Sequence, residues 1–288
     1  MIVPIRDASD TASRVLRQLA EQCHGCSAEV IAAISSLDAT VVEVPPGVQF
    51  VIVEGLAGIP QLRRAALLAA TGEWIVITED HCSFPPGWLQ TLVTACELHG
   101  GAVCGGPVAN HRDSFTGWAQ YFTRYSAFLP NRTSGFVTGL PGNNACYARA
   151  LLFERLALLQ EGFWEAELNA RLREDGISFY LSADAIVTQD QRRGMLEYIP
   201  LRFRHGRCYG ARRIAAVDFP QRVRLLLRSP ILPLVLFVRI ARSVFTRRFR
   251  IARFIVTAPL ILLYVLAWGS GEVSGYVAGP GSSCRQTD

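Results

Sequence analysis

The stretch that decides the fold spans residues 71–82 and reads TGEWIVITEDHC. Its first part, residues 73–78, is apolar on both faces and predicts a strand in the middle of a parallel sheet. Glu79, Asp80 and His81 follow, and each can bind a metal or accept a proton. Acidic residues are common in solvated loops, but the position of these three directly after a buried strand favours a functional site.

The chain on either side of this stretch alternates between strand and helix patterns. Before it, we predict a strand at 2–5, a helix around Val15 to Leu19, strands at 29–34 and 50–53, and a helix at 61–70. After it, we predict an aromatic helix at 114–129, a loop at 139–144, helices at 145–159 and 163–172, and a strand at 177–181. This order indicates an open α/β sheet, whose ligand crevice lies beyond the carboxyl ends of the strands. The aromatic helix suits a core position better than a membrane or acceptor-lipid surface.

The composition excludes several classes of protein. Of the 288 residues, 50% are hydrophobic and 18% are charged, which excludes a disordered chain and indicates membrane contact. The 29 basic residues are all arginine, so the chain has no lysine for a Schiff base or a phosphate-binding loop. The formal net charge is only +5, so a nucleic-acid footprint would have to be local, and a nucleic-acid partner is not expected because the arginine clusters adjoin apolar helices rather than a polar groove. The eight cysteines show no framework spacing and favour a reducing compartment.

Two apolar segments near the carboxyl end indicate membrane association. Residues 225–238 are 14 positions interrupted by Pro230 and Pro233, and residues 254–268 are 15 positions with one polar residue. The first is shorter than the ~20 residues that a spanning helix needs, whereas the second continues through Gly271 to 18 positions and is a borderline span. We expect the first to lie in the interface or re-enter, and the second to be a short span or a further embedded helix; the alternative is a buried pair inside a soluble fold. The arginines between them should remain cytoplasmic; they are Arg239, Arg242, Arg247, Arg248, Arg250 and Arg253.

Several features, taken in order, resemble the family-2 glycosyltransferases, which have a nucleotide-sugar-binding α/β fold called GT-A. They are the VPIR opening at 3–6, the helix end ATGE at 70–73, the strand at 73–78 with its acidic exit (Glu79 and Asp80, directly after the strand), the GNN loop at 142–144 and the acidic helix at 163–172. Residues 267–276 also resemble the tail of membrane-associated bacterial members. The resemblance implies a GT-A-like, doubly wound, mostly parallel α/β catalytic domain at 1–215, and membrane-associated helices with a short tail at 216–288.

The resemblance also implies a metal-dependent transfer reaction. In the family, an Asp-x-Asp motif holds a divalent cation that stabilises the departing diphosphate. The equivalent residues here are Glu79, Asp80 and His81. Because imidazole tolerates manganese better than magnesium, we expect Mn²⁺ to support activity at least as well as Mg²⁺. The alternative for His81 is a histidine that is hydrogen-bonded to the loop backbone.

The family's acidic base falls on Glu165, with Glu167 as its competitor. A carboxylate in this role takes the proton of the acceptor hydroxyl during inverting transfer. The two side chains lie on different helix faces, so both cannot point into one crevice. We favour Glu165 because it lies nearer the helix start; the alternative is that both only add negative charge to a first helical turn.

The resemblance implies further contacts with both substrates. Those with the donor are Asp7, Arg63, Asp80 and Arg207, and those with the acceptor are Asn143 and Asn144. The segment around Arg207 suits either a diphosphate or anionic lipid. Residues 33–36, AISS, stand where family members have an acid for the uracil or ribose, so that contact is left unassigned.

We therefore expect an inverting glycosyltransferase at the inner membrane, with its catalytic domain in the cytoplasm. Its partners would be a nucleotide-sugar donor, a glycan or lipid-linked acceptor, and membrane lipids. The alternative is a membrane scaffold with a GT-A shape and a degenerate site, because Glu79 and His81 replace aspartates. Transfer or hydrolysis of a nucleotide sugar with Mn²⁺ separates the two.

Overall fold

The computed structural model of the chain forms two compact units. The described residues are 1–6, 10–23, 26–36, 45–55, 57–99, 103–191, 193–215 and 217–286. The first unit comprises Met1–His111 and Phe128–Asp190, and the second comprises Arg112–Ala127 and Gln191–Asp288. These units interleave along the chain and differ from the functional division at residue 215, which stays a prediction.

As far as β4, the elements follow one another in the order that the sequence predicts. The strands are β1 (Ile2–Ile5), β2 (Val30–Ser35), β3 (Val48–Val53), β4 (Trp74–Ile77), β5 (Cys82–Ser83), β6 (Val103–Gly105), β7 (Val108–Asn110), β8 (Gly135–Val137), β9 (Ala145–Ala148), β10 (Phe179–Leu181) and β11 (Val187–Gln189). The helices are α1 (Asp10–Gln22), α2 (Ile59–Ala69), α3 (Trp88–Leu98), α4 (Phe115–Tyr125), α5 (Arg149–Phe153), α6 (Glu165–Glu174), α7 (Met195–Ile214), α8 (Phe219–Arg228), α9 (Leu232–Thr246) and α10 (Ile251–Ala278).

The first unit is built on a large mixed sheet with the strand order β3-β2-β1-β4-β9-β6-β10-β8. Strands β3, β2, β1 and β4 are parallel neighbours, as are β6 and β10. A small second sheet has the order β5-β11-β7. The apolar side chains of β1, β2 and β4 are almost completely buried. The predicted α/β fold class is confirmed, and the acidic residues after β4 lie at a carboxyl edge of the large sheet.

The helix predicted at 145–159 is wrong at its start. Residues Ala145–Ala148 form β9, which pairs antiparallel with β4 on one side and with β6 on the other. Only Arg149–Phe153 is α-helical, and a short 3-10 helix follows at Leu156–Leu159. The local preference of alanine and leucine for helix is overridden because this segment completes the centre of the sheet, where its backbone groups pair on both sides.

Glu29 joins the start of β2 to the turn before β4. Its Oε1 atom accepts hydrogen bonds from the Thr71 amide at 2.7 Å, the Thr71 hydroxyl at 3.0 Å and the Gly72 amide at 3.0 Å. Burial alone would raise the pKa of Glu29, but the hydrogen bonds from Thr71 and Gly72 outweigh it and hold the pKa below its ordinary value. The charged carboxylate therefore stabilises the fold.

We predict that Glu29→Ala lowers the free energy of unfolding by about 1–2 kcal/mol at pH 7, because three donors lose their acceptor. A carboxylate with a depressed pKa contributes stability above its unfolded pKa of about 4.3, and this contribution is lost as the pH falls through the lower folded value. Urea unfolding at pH 7 and below pH 4 should show the difference shrinking at the acid end. The matched control is Glu21→Ala on the exposed face of α1, and an equal loss there would contradict the prediction.

The second unit is helical and is organised by a close crossing of α7 and α10. Gly206 and Gly210 of α7 face the backbone of Trp268 and Glu272, and a β-carbon added at either glycine would collide with it. Gly271 and Gly275 of α10 face the backbone of α7 in the same way. The spacing of four residues on each helix lets the two backbones approach as in small-residue helix pairs.

The same unit corrects two expectations about the chain's end. Cys208 forms a disulfide with Cys284, across 76 residues of sequence, so the expectation of reduced cysteines is wrong for this pair. The spacing gave no sign of it because folding, not sequence proximity, brings the two together. The second apolar segment is longer than the 254–268 run: α10 has 28 residues and is long and apolar enough to cross a membrane.

Candidate active site

Arg63 of α2 connects the exit of β4 with the start of α6. Its side chain is only 2% exposed. Nη2 donates to Glu79 Oε1 at 2.9 Å and to the Gly142 carbonyl at 2.8 Å, while Nη1 donates to Glu165 Oε2 at 2.7 Å. The planar guanidinium suits this arrangement because its donors point in several fixed directions at once. Two predicted site residues, Glu79 and Glu165, therefore both form ion pairs with the Arg63 guanidinium.

Glu165 is the first residue of α6, and its side chain is 34% exposed. Gly142 lies directly against it, and a β-carbon at that position would collide with the Glu165 carboxylate. A carboxylate at the first turn of a helix also interacts favourably with the backbone amides there. Glu165 is thus held by Arg63 yet remains accessible to a ligand, whereas Glu167 lies exposed on the same turn.

Asp80 and His81 lie beside this cluster. Asp80 Oδ2 accepts from the backbone amide of Arg6, which follows β1, at 3.1 Å. His81 Nδ1 lies 3.1 Å from Asp80 Oδ1, and His81 Nε2 lies 3.2 Å from Glu79 Oε2. The imidazole therefore lies between two carboxylates, which contradicts the alternative that it serves only the loop backbone. These contacts place the ends of β1 and β4 together, as expected for neighbouring parallel strands.

The two asparagines predicted to bind the acceptor are buried in the loop before β9. Asn144 accepts from Trp88 Nε1 at 3.0 Å and donates to the carbonyls of Pro107 and Ala185 at 3.0 and 2.7 Å. The Asn143 amide donates to Cys82 Sγ at 3.5 Å. Asn144 therefore holds the loop in place, and acceptor binding by either residue stays a prediction.

Two predicted donor contacts remain, Asp7 and Arg207. Asp7 falls outside the described residues. Arg207 belongs to α7 in the second unit, where its Nε donates to the Gly279 carbonyl at 2.9 Å. Its role as a donor contact remains a prediction.

Burial keeps Cys82 neutral at the edge of the cluster. Desolvation, reinforced by the nearby charge of Glu79, raises the pKa of the Cys82 thiol to about 12. Tyr147, whose hydroxyl donates to Asn169 Oδ1 at 3.0 Å, also has a raised pKa, chiefly through burial and then through the charge of Glu165. Neither group is suited to proton transfer near neutral pH.

The metal-binding side chains of this cluster suit a divalent cation whose remaining ligands come from a bound substrate. In the described part of the chain, no three His, Cys, Asp or Glu side chains are grouped so that they could hold a metal alone. Glu79 Oε1 is bound to Arg63, which leaves Asp80, with a side chain 15% exposed, as the accessible carboxylate; His81, at 18%, lies beside it with Nδ1 toward Asp80 and Nε2 toward Glu79. Cations at phosphate-transfer sites commonly bind one or two carboxylates and complete their shell with substrate phosphates. Asp80 and His81 suit this type of site.

The role of Arg63 as a bridge could not be read from the sequence. The sequence indicated a donor contact, because Arg63 precedes the turn before β4. Its partners lie 16 and 102 residues further along the chain, and local patterning carries no information about pairs at such distances. A buried position of α2 occupied by arginine was the one available signal, since an unpaired charge is rarely tolerated there.

The large mixed sheet with its flanking helices is an α/β fold of the GT-A-like class. The chain belongs to glycosyl transferase family 2, whose sequence profile matches residues 1–157. No curated protein matches the chain in sequence. Family and fold together support a glycosyltransferase.

One solved structure shows the same fold. A mannosyltransferase from Pyrobaculum calidifontis in complex with GDP-Man and Mn²⁺ is similar at 18% identity and a TM-score of 0.56, covering 93% of this chain and 84% of that one. A mycobacterial protein is 16% identical over 68% of each chain, with a TM-score of 0.43.

Proposed function

We propose that the protein is an inverting glycosyltransferase that moves a sugar from a nucleoside-diphosphate donor to a hydroxyl group of a glycan or lipid-linked acceptor. The observation that carries the proposal is the Arg63 bridge. It holds Glu165, the base that the resemblance implies, beside Glu79 at the acidic exit of β4, where a diphosphate-bound cation is expected. Family membership and the GT-A fold support the same reaction class.

The reaction assigns a separate task to each member of the cluster. The acceptor oxygen attacks the anomeric carbon while the bond to the donor phosphate breaks, and the electron pair leaves on the diphosphate. Glu165 takes the acceptor proton, because it is the exposed carboxylate of the cluster. Arg63 positions Glu165 and balances the charge of Glu79, which is only 8% exposed and acts as its counter-ion.

Asp80 and His81 would hold the divalent cation, Mn²⁺ or Mg²⁺. When bound, such a cation neutralises the charge that grows on the leaving diphosphate. The mannosyltransferase from Pyrobaculum calidifontis is in complex with GDP-Man and Mn²⁺, which supports a cation and a nucleotide sugar in this fold. Donor contacts by Asp7 and Arg207 and acceptor contacts by Asn143 and Asn144 complete the proposed site.

The proposed location is the inner face of the cytoplasmic membrane, with the catalytic domain in the cytoplasm. The apolar length of α10 supports membrane association. Nucleotide sugars are expected on that side of the membrane. The second candidate, a membrane scaffold with a degenerate site, is favoured by the histidine and glutamate that replace family aspartates. Nucleotide-sugar turnover with Mn²⁺ distinguishes the two.

We predict that Asp80→Asn lowers transfer about a hundredfold or more, because the cation loses its charged ligand. Removing divalent ions with a chelator should abolish transfer by the unaltered protein, and Mn²⁺ should restore it at least as well as Mg²⁺. Thermal shift with a panel of nucleoside diphosphates and Mn²⁺ measures binding directly, since ligands that bind the native state raise its melting temperature.

The matched control is Asp184→Asn, which removes an exposed carboxylate of the same unit and should leave transfer within twofold. Full Mn²⁺-dependent transfer by Asp80→Asn would contradict the assigned cation site. Activity that requires Mg²⁺ and gains nothing from Mn²⁺ would contradict the role of His81.

A further inference from the structure

Helix α8 presents an apolar stripe that no part of its own unit covers. Phe219, Val223 and Leu227 follow at intervals of four residues, so they lie on one side of α8, and Ile231 comes directly after it in the short 3-10 helix Ser229–Ile231. Their exposed fractions are 77%, 37%, 76% and 59%. None of the residues of α8 is buried. A soluble protein rarely exposes a continuous apolar stripe of this kind without a partner.

Helix α9 continues this surface and adds positive charge to it. Leu234, Val235 and Val238 are 60%, 54% and 53% exposed. Arg239 and Arg242 are exposed on the same helix. An exposed surface that mixes large apolar residues with arginines is typical of helices that lie in a membrane interface, where the long arginine side chains reach back to the headgroups.

The charge of this region has one sign. Between Phe219 and Gly271 the sequence contains arginine but neither aspartate nor glutamate. The arginines are Arg222, Arg224, Arg228, Arg239, Arg242, Arg247, Arg248, Arg250 and Arg253. Such a cluster beside apolar helices complements the negative surface of anionic phospholipids.

The carboxyl-terminal half of α10 is paired with a helix that cannot enter a bilayer. The Tyr198 ring lies 4.7 Å from that of Tyr264, and the Arg202 guanidinium lies 4.4 Å over the Trp268 ring. Further along, Arg213 Nη1 lies 3.2 Å from the buried Glu272 Oε1. The two helices therefore run side by side in the same direction, and α7 also carries Arg204, Arg207 and Arg212. Charged side chains in such number are excluded from hydrocarbon.

The part of α10 that precedes this pairing is too short to span. It runs from Ile251 to Leu263, and its exposed side chains include Ile255 at 58% and Val256 at 63%. At about 1.5 Å per residue this part is about 20 Å long, whereas the hydrocarbon core is about 30 Å thick. Although α10 as a whole is long enough to span a bilayer, the part of it that is free to enter the hydrocarbon core is not.

We infer that α8, α9 and the first half of α10 lie in a single leaflet of an anionic phospholipid bilayer, and that the chain does not cross it at α10. The apolar stripe enters the acyl boundary, and the exposed arginines of α8 and α9, which are Arg224, Arg228, Arg239 and Arg242, bind the lipid phosphates. The inference rests on the proposed membrane association and is independent of the proposed transfer reaction.

The first test measures binding of the full chain to vesicles of phosphatidylcholine, with and without phosphatidylglycerol, by flotation. Replacing Arg224, Arg228 and Arg239 by glutamine should weaken binding to the anionic vesicles about a hundredfold, because each arginine near such a surface contributes about a factor of five. Replacing Phe219 and Leu227 by serine should weaken binding to both vesicle types at least tenfold.

Matched controls come from the first unit. Arg14, Arg17 and Arg171 are exposed there, and replacing all three by glutamine removes the same amount of charge. Leu98→Ser removes a leucine that is as exposed as Leu227. These variants should bind vesicles like the unaltered protein. Equal losses in the controls, or binding that does not depend on phosphatidylglycerol, would overturn the lipid specificity.

The second test asks whether the two ends of α10 lie on one side of the membrane. Ala252 and Val277 are exposed near its two ends, and each is replaced by cysteine in a C23S/C26S background. A membrane-impermeant maleimide should label both positions from the same side of sealed membrane vesicles. Labelling from opposite sides would show a span and overturn the inference. Transfer assayed in detergent reports the catalytic proposal separately, because none of these residues belongs to the site.

Discussion

Replacing Glu165 with glutamine should lower the rate of sugar transfer about 10²–10⁴-fold, the range that a positioned general base contributes. Glutamine keeps the size of the side chain and one oxygen that can accept from Arg63, but it cannot take the proton of the acceptor hydroxyl. Donor binding should be nearly unchanged, because Glu165 acts on the acceptor. Initial rates give the first quantity, and thermal shift with the nucleotide sugar and Mn²⁺ gives the second.

Glu167→Gln is the matched control, since it makes the same chemical change two residues along the same helix. Glu167 is exposed, and its replacement should leave transfer within about twofold. Full turnover by Glu165→Gln would remove the assigned base. If Glu167→Gln were the inactive variant, the base would lie on the other helix face.

Arg63→Leu should lower the free energy of unfolding by about 3–5 kcal/mol and abolish transfer. The substitution leaves Glu79 charged and buried without its counter-ion. Removing one partner of a buried ion pair destabilises a protein more than replacing both, because the remaining charge is uncompensated. It also releases Glu165 from the contact that orients it. Urea unfolding measures the first effect, and initial transfer rates measure the second.

Arg63→Lys separates positioning from stability. Lysine retains the positive charge but, as a single ammonium, cannot reproduce the planar bridge to two carboxylates and the Gly142 carbonyl. We expect it to fold and to lose kcat at least tenfold, with the KM for donor changed much less. Arg64→Leu, at the next position of α2, is the control and should be stable and active. Unimpaired kcat in Arg63→Lys would show that Arg63 only stabilises the fold.

The local patterns of the chain were sufficient for the fold class and for the position of the site. Strands β1, β2 and β4 have apolar runs that can be recognised because nearly all of their side chains, on both faces, are buried, whereas β3 is only partly buried. The acidic exit of β4 followed from the same pattern, since a parallel strand ends where ligands bind. The match of residues 1–157 to the family covers the features from the VPIR opening to the GNN loop, and the acidic helix at 163–172 lies beyond it.

The tertiary structure decided the features that depend on partners far apart in sequence. Arg63 was recognisable as a donor-contact candidate, but its bridge from Glu79 to Glu165 exists only once α2, β4 and α6 are packed together. The strand β9 forms where a helix was predicted because its neighbours offer open ladder positions. The disulfide between Cys208 and Cys284 and the glycine crossing of α7 with α10 have the same origin.

The sequence by itself therefore determined which segments are buried and which chemical groups lie at the ends of the strands. Both properties depend mainly on residues that are adjacent in the sequence. Only the folded chain decided which of those groups touch one another. Pairing energies between charges and between helix backbones arise from distances of a few ångströms in space, and these distances do not depend on separation along the chain.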